Sequence, residues 1–264
     1  MTNPFDIPEL KYMIINLLDL KSIGRMIQVN YVFKDFIQDM PIYLELQTCL
    51  NYIQHNLKLR YKKYNTREKI FISACANACR NIINSFSKDG ITCVNPSRLL
   101  DTGLIFACQN GHLEVTKYLM DKGASIHVGN DYALIRTCSN GHLEVAKFLV
   151  EEGADIHVNN DKALQWACGS GHLEVVKFLV DKGANIDADD DYVLCLACRN
   201  GHLEVAKFLV EKGANIHANN DSALKWACEN DHLDVARFLV KKGANVNVNK
   251  KIHNYLVKHD IIKN

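Results

Sequence analysis

The chain has 264 residues, 48 % of them hydrophobic, with 31 Lys and Arg against 30 Asp and Glu, a net charge of +1. That length and balance suit a soluble extended domain with a smaller one attached, and exclude a protein that grips nucleic acid through bulk charge. No run reaches the ~20 apolar residues that span a bilayer, and the start, with Pro4, Asp6, Pro8 and Glu9, lacks the basic-then-apolar pattern of a secretory signal. An intracellular, cytoplasmic location is therefore the expectation.

Residues 1–64 carry apolar side chains at helical spacing. Pro8 leads Leu10, Met13, Ile14, Leu17 and Leu18 on one face. Ile23, Met26 and Ile27 begin a second helix, and Val32, Phe33, Phe36 and Ile37 a third. Pro41, tolerated in a first turn, opens a longer one bearing Ile42, Leu46, Cys49, Leu50, Ile53 and Leu57. So small a segment buries little surface alone and should dock on the remaining chain or on another protein. It resembles an F-box. Ile7-Pro8-Glu9-Leu10 is similar to that family's opening Leu-Pro-x-Glu-Leu with one residue missing, and Leu18-Asp19, Ile23, Met26, Val29 and Phe33 fall at its later apolar spacings. The resemblance implies binding to the small adaptor of a cullin-type ubiquitin ligase through Ile7, Pro8, Leu10 and Ile14. A helical cap on the following domain is the alternative.

Leu57 to Lys69 holds Lys58, Arg60, Lys62, Lys63, Arg67 and Lys69 against Glu68, interleaved with Tyr61 and Tyr64. No nucleic-acid fold follows, so this reads as a solvated helix end and linker. Residues 65–100 form a degenerate opening repeat. Set 33 residues ahead, Phe71 meets Leu104, Ala74-Cys75 meets Ala107-Cys108, Asn77 meets Asn110, Ile82 and Phe86 meet Val115 and Leu119, and Gly90 meets Gly123. Asn95-Pro96-Ser97 is expected to close its finger.

Residues 101–250 state one pattern five times at a spacing of thirty. Asn110-Gly-His-Leu-Glu-Val115 recurs at Asn140, Ser170 and Asn200, and with changes at Asn230-Asp-His-Leu-Asp-Val235. In the third copy, Leu164, Ala167 and Cys168 make the apolar stripe of a first helix, with Asp161 placed to cap it. Gly171 breaks the chain, and Val175, Phe178 and Leu179 stripe a second helix that Gly183 ends. Glu174, Lys177 and Asp181 lie on its other face, spaced for weak ion pairs. In the fifth copy Asp231 replaces the turn glycine, at an expected cost of ~1 kcal/mol. Residues 251–264, with Ile252 to Ile262, look like a closing cap.

The motif Gly-His-Leu-Glu-Val-x-Lys-Phe-Leu-Val-x-x-Gly-Ala resembles the second helix of ankyrin repeats. The first half departs, since Lys162-Ala163-Leu164-Gln165-Trp166-Ala167 keeps only the Leu and Ala of the family's Thr-Pro-Leu-His-x-Ala. The unit is also three residues shorter than the usual 33, which implies tight turns in place of β-hairpin fingers. In that short form it is similar to the repeat proteins of giant DNA viruses. The resemblance implies an all-α ankyrin-repeat solenoid over 65–264, preceded by the helical segment 1–64.

Nothing in the chain forms a catalytic constellation, so an enzyme is not expected, nor a cofactor. Cys108, Cys138, Cys168, Cys198 and Cys228 recur at the repeat period as small apolar packing groups, and Cys195-x-x-Cys198 lacks the second pair a zinc site needs. Free thiols agree with a reducing compartment. His112, His142, His172, His202 and His232 form a ladder at the turn, where the family's histidine orients the chain by hydrogen bonds. His127, His157 and His217 occupy the finger, where Asp187 and Asn247 replace them in other copies; a metal site would not accept that. Asp187 to Asp191 lacks the distal Glu of a calcium loop.

Variation between copies is the functional signal. The residue after each Asp is Thr102, Tyr132, Lys162, Tyr192 or Ser222. Three on come Ile105, Ile135, Gln165, Cys195 and Lys225, then Phe106, Arg136, Trp166, Leu196 and Trp226, and later Gln109, Ser139, Gly169, Arg199 and Glu229. These offsets make one helix face, expected as a strip opposite the Leu-Ala-Cys stripe and, in ankyrin proteins, the concave partner surface. Tyr132, Arg136, Trp166, Tyr192, Arg199 and Trp226 are its candidate contacts for a protein partner, because Tyr, Trp and Arg dominate interfaces. For the two tryptophans core packing is the alternative. A monomer is expected.

Overall fold

Every element among the described residues is a helix, and there are twelve. The computed structural model describes the backbone of Thr48, residues 66–79, Ile83 and residues 96–263. The N-terminal helices with Ile7, Pro8, Leu10 and Ile14, most of the basic stretch, and Ile82, Phe86 and Gly90 lie outside the described residues, as do the side chains of 188–191. Two compact units make up the chain: Met1–Ala107 with Glu114–Ser125, and Cys108–Leu113 with Ile126–Asn264.

In the first unit, α1 (Thr66–Ala76) opens with Thr66, Arg67, Glu68 and Lys69, and its remaining residues, Ile70 to Ala76, are all buried. Its polar Ser73 keeps a partner, since Asn77 Nδ2 donates to the Ser73 hydroxyl at 3.4 Å as well as to the Ser73 carbonyl at 2.8 Å. α2 (Pro96–Gln109) begins five residues ahead of Asp101, so Pro96 and Ser97 are helical and do not close a finger as expected, while Asn95 lies outside the described residues. Proline lacks the N–H that a first turn leaves unbonded anyway, and here it opens the helix. Gly103 sits where α1 and α2 approach closest. A Cβ there would lie 3.0 Å from Cys75 Sγ and 3.1 Å from the Phe71 ring. α3 (Leu113–Asp121) follows, and the Ser125 N–H donates to Asp101 Oδ1 at 2.7 Å.

The second unit stacks helix pairs. First helices α4 (Tyr132–Ser139), α6 (Val158–Ser170), α8 (Ala188–Arg199) and α10 (Ala218–Glu229) pack each on the next. So do second helices α5 (Leu143–Glu151), α7 (Leu173–Asp181), α9 (Leu203–Glu211) and α11 (Leu233–Lys241), while α12 (Lys250–Lys258) closes on α10. Between them the repeated Leu134, Leu164, Leu194 and Leu224 are buried, with Cys138, Cys168, Cys198 and Cys228. Burial pushes the Cys138 thiol up to about 12 and, aided by Glu229, Cys228 also to about 12. These groups stay protonated, poor nucleophiles and poor metal ligands. On the outer side Lys147, Lys177 and Lys207 pair with Glu144, Glu174 and Glu204 at 2.7–2.8 Å, exposed and individually weak.

The fingers contain no strand among the described residues. Asn159, Asn160 and Asp161 are instead three consecutive left-handed residues with φ of 53–58°, and Asn219, Asn220 and Asp221 repeat the turn. Asn and Asp tolerate that region better than other side-chain-bearing residues, which explains the Asn-Asn-Asp composition. The turn also corrects the capping role expected of Asp161, whose side chain bonds the next finger and His157 rather than a first-turn N–H. Held in the left-handed conformation and buried, its Oδ1 instead accepts the Asn185 N–H of the next finger at 3.1 Å and lies 3.0 Å from His157 Nδ1. Asp131 likewise joins His127 to the Asp155 N–H, and Asp221 joins His217 to the Asn245 N–H.

At the other end of each pair, the turn histidine reaches back one repeat. His142, His172, His202 and His232 place Nε2 3.0–3.1 Å from the carbonyls of Gln109, Ser139, Gly169 and Arg199. A carbonyl can only accept, so Nε2 carries the proton. The ring's other side rests on the preceding turn glycine. A Cβ on Gly171 would lie 2.5 Å from His202 Nδ1, and φ there is +79°. Asp231 keeps the left-handed turn at φ 62°. No histidine follows it thirty-one residues on, where Ile262 stands, and Tyr255 OH donates to Asp231 Oδ1 at 2.6 Å. In α12, Asn249 is a true cap, accepting the Ile252 N–H at 2.9 Å, and Ile252 and Leu256 are buried.

Two outcomes test this frame. Gly171→Ala should cost ~2 kcal/mol or more in urea unfolding, from backbone strain plus the imidazole clash. Gly213→Ala, at φ +102° with open space around the added Cβ, should cost only the backbone share, about 1 kcal/mol. Equal costs would mean that the glycine–histidine contact does not constrain the turn. The second outcome concerns pH. Burial lowers the His142 pKa, with His112 and His172 adding to the shift and the Gln109 carbonyl opposing it. The unfolded chain therefore takes up a proton there at higher pH than the folded one. Its contribution is complete above the ordinary value of about 6.5 and is lost as pH falls below it. The thermal midpoint should drop more between pH 7.5 and 5.5 in the wild type than in His142→Gln, by circular dichroism; parallel drops would refute the assignment.

Candidate functional site

An α-helix turns by about 100° per residue, and this decides which first-helix positions face outward. Counting from Leu164, Ala167 and Cys168 stay within about 60° of it, while Lys162, Trp166 and Gly169 cluster on the opposite side. Gln165 falls between and is drawn into the core. Ile135, Gln165 and Cys195 are all buried, so the outward strip is narrower than the four offsets suggested. The buried Gln165 amide is satisfied: Nε2 donates to the Asn160 carbonyl at 2.9 Å and Oε1 accepts from Lys162 Nζ at 3.0 Å.

The same geometry places the tryptophans. Core packing, the alternative held open for them, does not occur. Trp166 is 46 % exposed and Trp226 37 %, beside Tyr132 at 43 % and Tyr192 at 40 %. Among the described residues these four are the exposed large hydrophobic side chains. They belong to four successive first helices, α4, α6, α8 and α10, each packed on the next.

The two arginines sit among them in different ways. Arg136 Nε donates to Gln109 Oε1 at 3.3 Å, which leans it toward the preceding copy. The Arg199 guanidinium lies over the Trp226 ring at 4.8 Å from its centre, a contact that attracts cation to π face. Asn200 Nδ2 donates to the Gly169 carbonyl at 2.6 Å, the same oxygen that His202 uses. Glu229 sits 3.8 Å from Lys251 Nζ.

Between α6 and α8 the strip opens into a cavity of ≈ 210 Å³ bordered by Trp166 and Tyr192, with Lys162, Gln165, Gly169 and Leu196 around it. The available signal for it was Gly169, at a position that holds Gln109, Ser139, Arg199 and Glu229 in the other copies. The cavity is smaller than the 300–1,000 Å³ usual for small-molecule and cofactor sites. Among the described residues no three His, Cys, Asp or Glu side chains gather as metal ligands, and no helix is long and apolar enough to cross a membrane.

No curated protein matches this chain. A family model described as ankyrin repeats, three copies, matches residues 104–190 and 186–250. Arrays of this kind are generally protein–protein interaction modules. The match spans more than half of the chain, over the stack of helix pairs just described, and the chain belongs to the ankyrin-repeat family.

Proposed function

We propose that this chain is a non-enzymatic binding protein that holds a protein partner on the first-helix strip, through Tyr132, Arg136, Trp166, Tyr192, Arg199 and Trp226. One observation carries the reading. The large exposed hydrophobic side chains of the described residues all lie on that one strip, at two positions of the repeat unit. Repeat framework does not require them there, because Lys162, Ser222 and Leu196 fill the same positions in other copies. A clustered apolar surface with arginines at its edge is the composition of a contact surface.

Tyr132→Ala with Tyr192→Ala should change stability by about 0.5 kcal/mol per site. The same variant should weaken partner binding by ~2 kcal/mol or more, about thirtyfold. Glu174→Ala with Glu204→Ala, on the second helices, should leave binding intact. Calorimetric melting and titration with the partner recovered by affinity purification measure both. A tyrosine variant that binds as wild type, or that melts far lower, rejects the strip.

The Ile7-Pro8-Glu9-Leu10 motif supports a second reading, a substrate adaptor that joins a cullin-type ubiquitin ligase through Ile7, Pro8, Leu10 and Ile14. Leu10→Asp with Ile14→Asp should then abolish co-purification of the ligase adaptor while the repeat array keeps its circular dichroism. Absence of that adaptor from wild-type preparations would leave these residues as a cap.

A further inference from the structure

We propose that the strip is shaped for an acidic peptide segment with one apolar side chain, which seats in the cavity between Trp166 and Tyr192. The inference rests on the binding strip proposed above and adds the chemistry of its occupant.

Gly169 is the first support. Glycine in a helix is less favourable than alanine, and Gly169 stands in the last turn of α6, so it calls for a reason. Packing supplies none. A Cβ at Gly169 would meet Asn200 Nδ2 at 3.6 Å and Leu196 Cβ at 3.8 Å, ordinary contacts, and the residue is not among the positive-φ glycines. Other copies hold Gln, Ser, Arg or Glu at that position. The missing side chain leaves the ≈ 210 Å³ cavity, walled by two exposed aromatic rings and floored in part by Leu196. That space suits one inserted side chain and is too small for a cofactor.

Charge is the second support. Arg136, Lys162 and Arg199 occupy the outward first-helix positions against Glu229 alone, and Glu229 has Lys251 at 3.8 Å. Yet residues 101–264 as a whole carry 18 basic and 22 acidic side chains. Cations are thus concentrated on this face of an otherwise acidic region. A partner with carboxylates beside its apolar anchor would be steered to it and held in register.

The same residues fit a nucleic-acid strand less well. Stacked bases need open aromatic faces, and the Trp226 face is taken by Arg199.

A phage-displayed random-peptide library selected on the full chain tests this, with tryptophan emission as the readout, since the chain's two tryptophans both lie on the strip. The selected peptides should carry Asp or Glu around a single apolar or aromatic residue. Their synthetic forms should bind at least tenfold more weakly to Gly169→Gln, which fills the cavity with a side chain that repeat one already carries there. Lys162→Glu with Arg199→Glu should weaken them similarly, and added salt should weaken the wild-type complex. Neutral or basic consensus peptides, or full binding to Gly169→Gln, overturn this inference. If those peptides still lose binding in Tyr132→Ala with Tyr192→Ala, the strip itself stands. If no peptide is selected, or none responds to any strip variant, both fail. Preferential binding of single-stranded oligothymidylate would overturn the peptide assignment in favour of nucleic acid.

Discussion

The order of the second unit depends on one hydrogen bond repeated four times, from the imidazole of each turn to a main-chain carbonyl one repeat back. It occupies an oxygen at the end of a first helix that would otherwise lack an intrahelical partner. It also brings the ring so close to the preceding turn that only glycine fits there. The sequence pair Gly-His is therefore two halves of different contacts: the glycine receives the following repeat and the histidine reaches into the previous one. At the far end of the helix pair, Asp131, Asp161 and Asp221 form the complementary joint, each carboxylate accepting a main-chain N–H of the next finger. A buried carboxylate is costly unless bonded, and the finger histidine, four residues earlier, supplies a second donor.

Where Asp131, Asp161 and Asp221 add this joint to that of the turn histidine, little freedom is left for one helix pair to slide or turn on the next. The consequence reaches the proposed binding strip. Side chains there differ from copy to copy, but the backbone that carries them is held at both ends by groups that do not differ. A partner would meet aromatic rings already spaced by the framework, with little ordering cost on this side of the complex. The polar residues that do enter the core keep partners as well, as Gln165 shows with Asn160 and Lys162, and Thr137 with the Ala133 carbonyl at 2.8 Å.

The helices, their apolar stripes and the glycine turns were legible because they rest on local spacing, at i, i+3 and i+4. The role of Asp161 is not legible locally, because its partner, Asn185, lies 24 residues away in the next finger, and the left-handed turn that aims it there has no signature beyond Asn-Asn-Asp. Angle alone places Trp166 outward, two residues past the buried Leu164. Pro96 is ambiguous in sequence, since proline both sits in loops and opens helices, and here it opens one. Of the candidate site, the six side chains were visible in the comparison of copies. The cavity was not, since a gap is made by what neighbouring helices do around a missing side chain. The N-terminal motif falls on residues outside those described.

Asp231 has a bearing on how such an array changes its number of units over evolutionary time. A duplication within the first four copies would place Gly before an incoming His at every new junction and preserve both joints. A unit appended behind the fifth would bring its histidine against the Asp231 side chain, which already bonds Tyr255. Gain or loss of repeats is thus permitted in the interior and obstructed at that junction, where Asp231→Gly would have to come first.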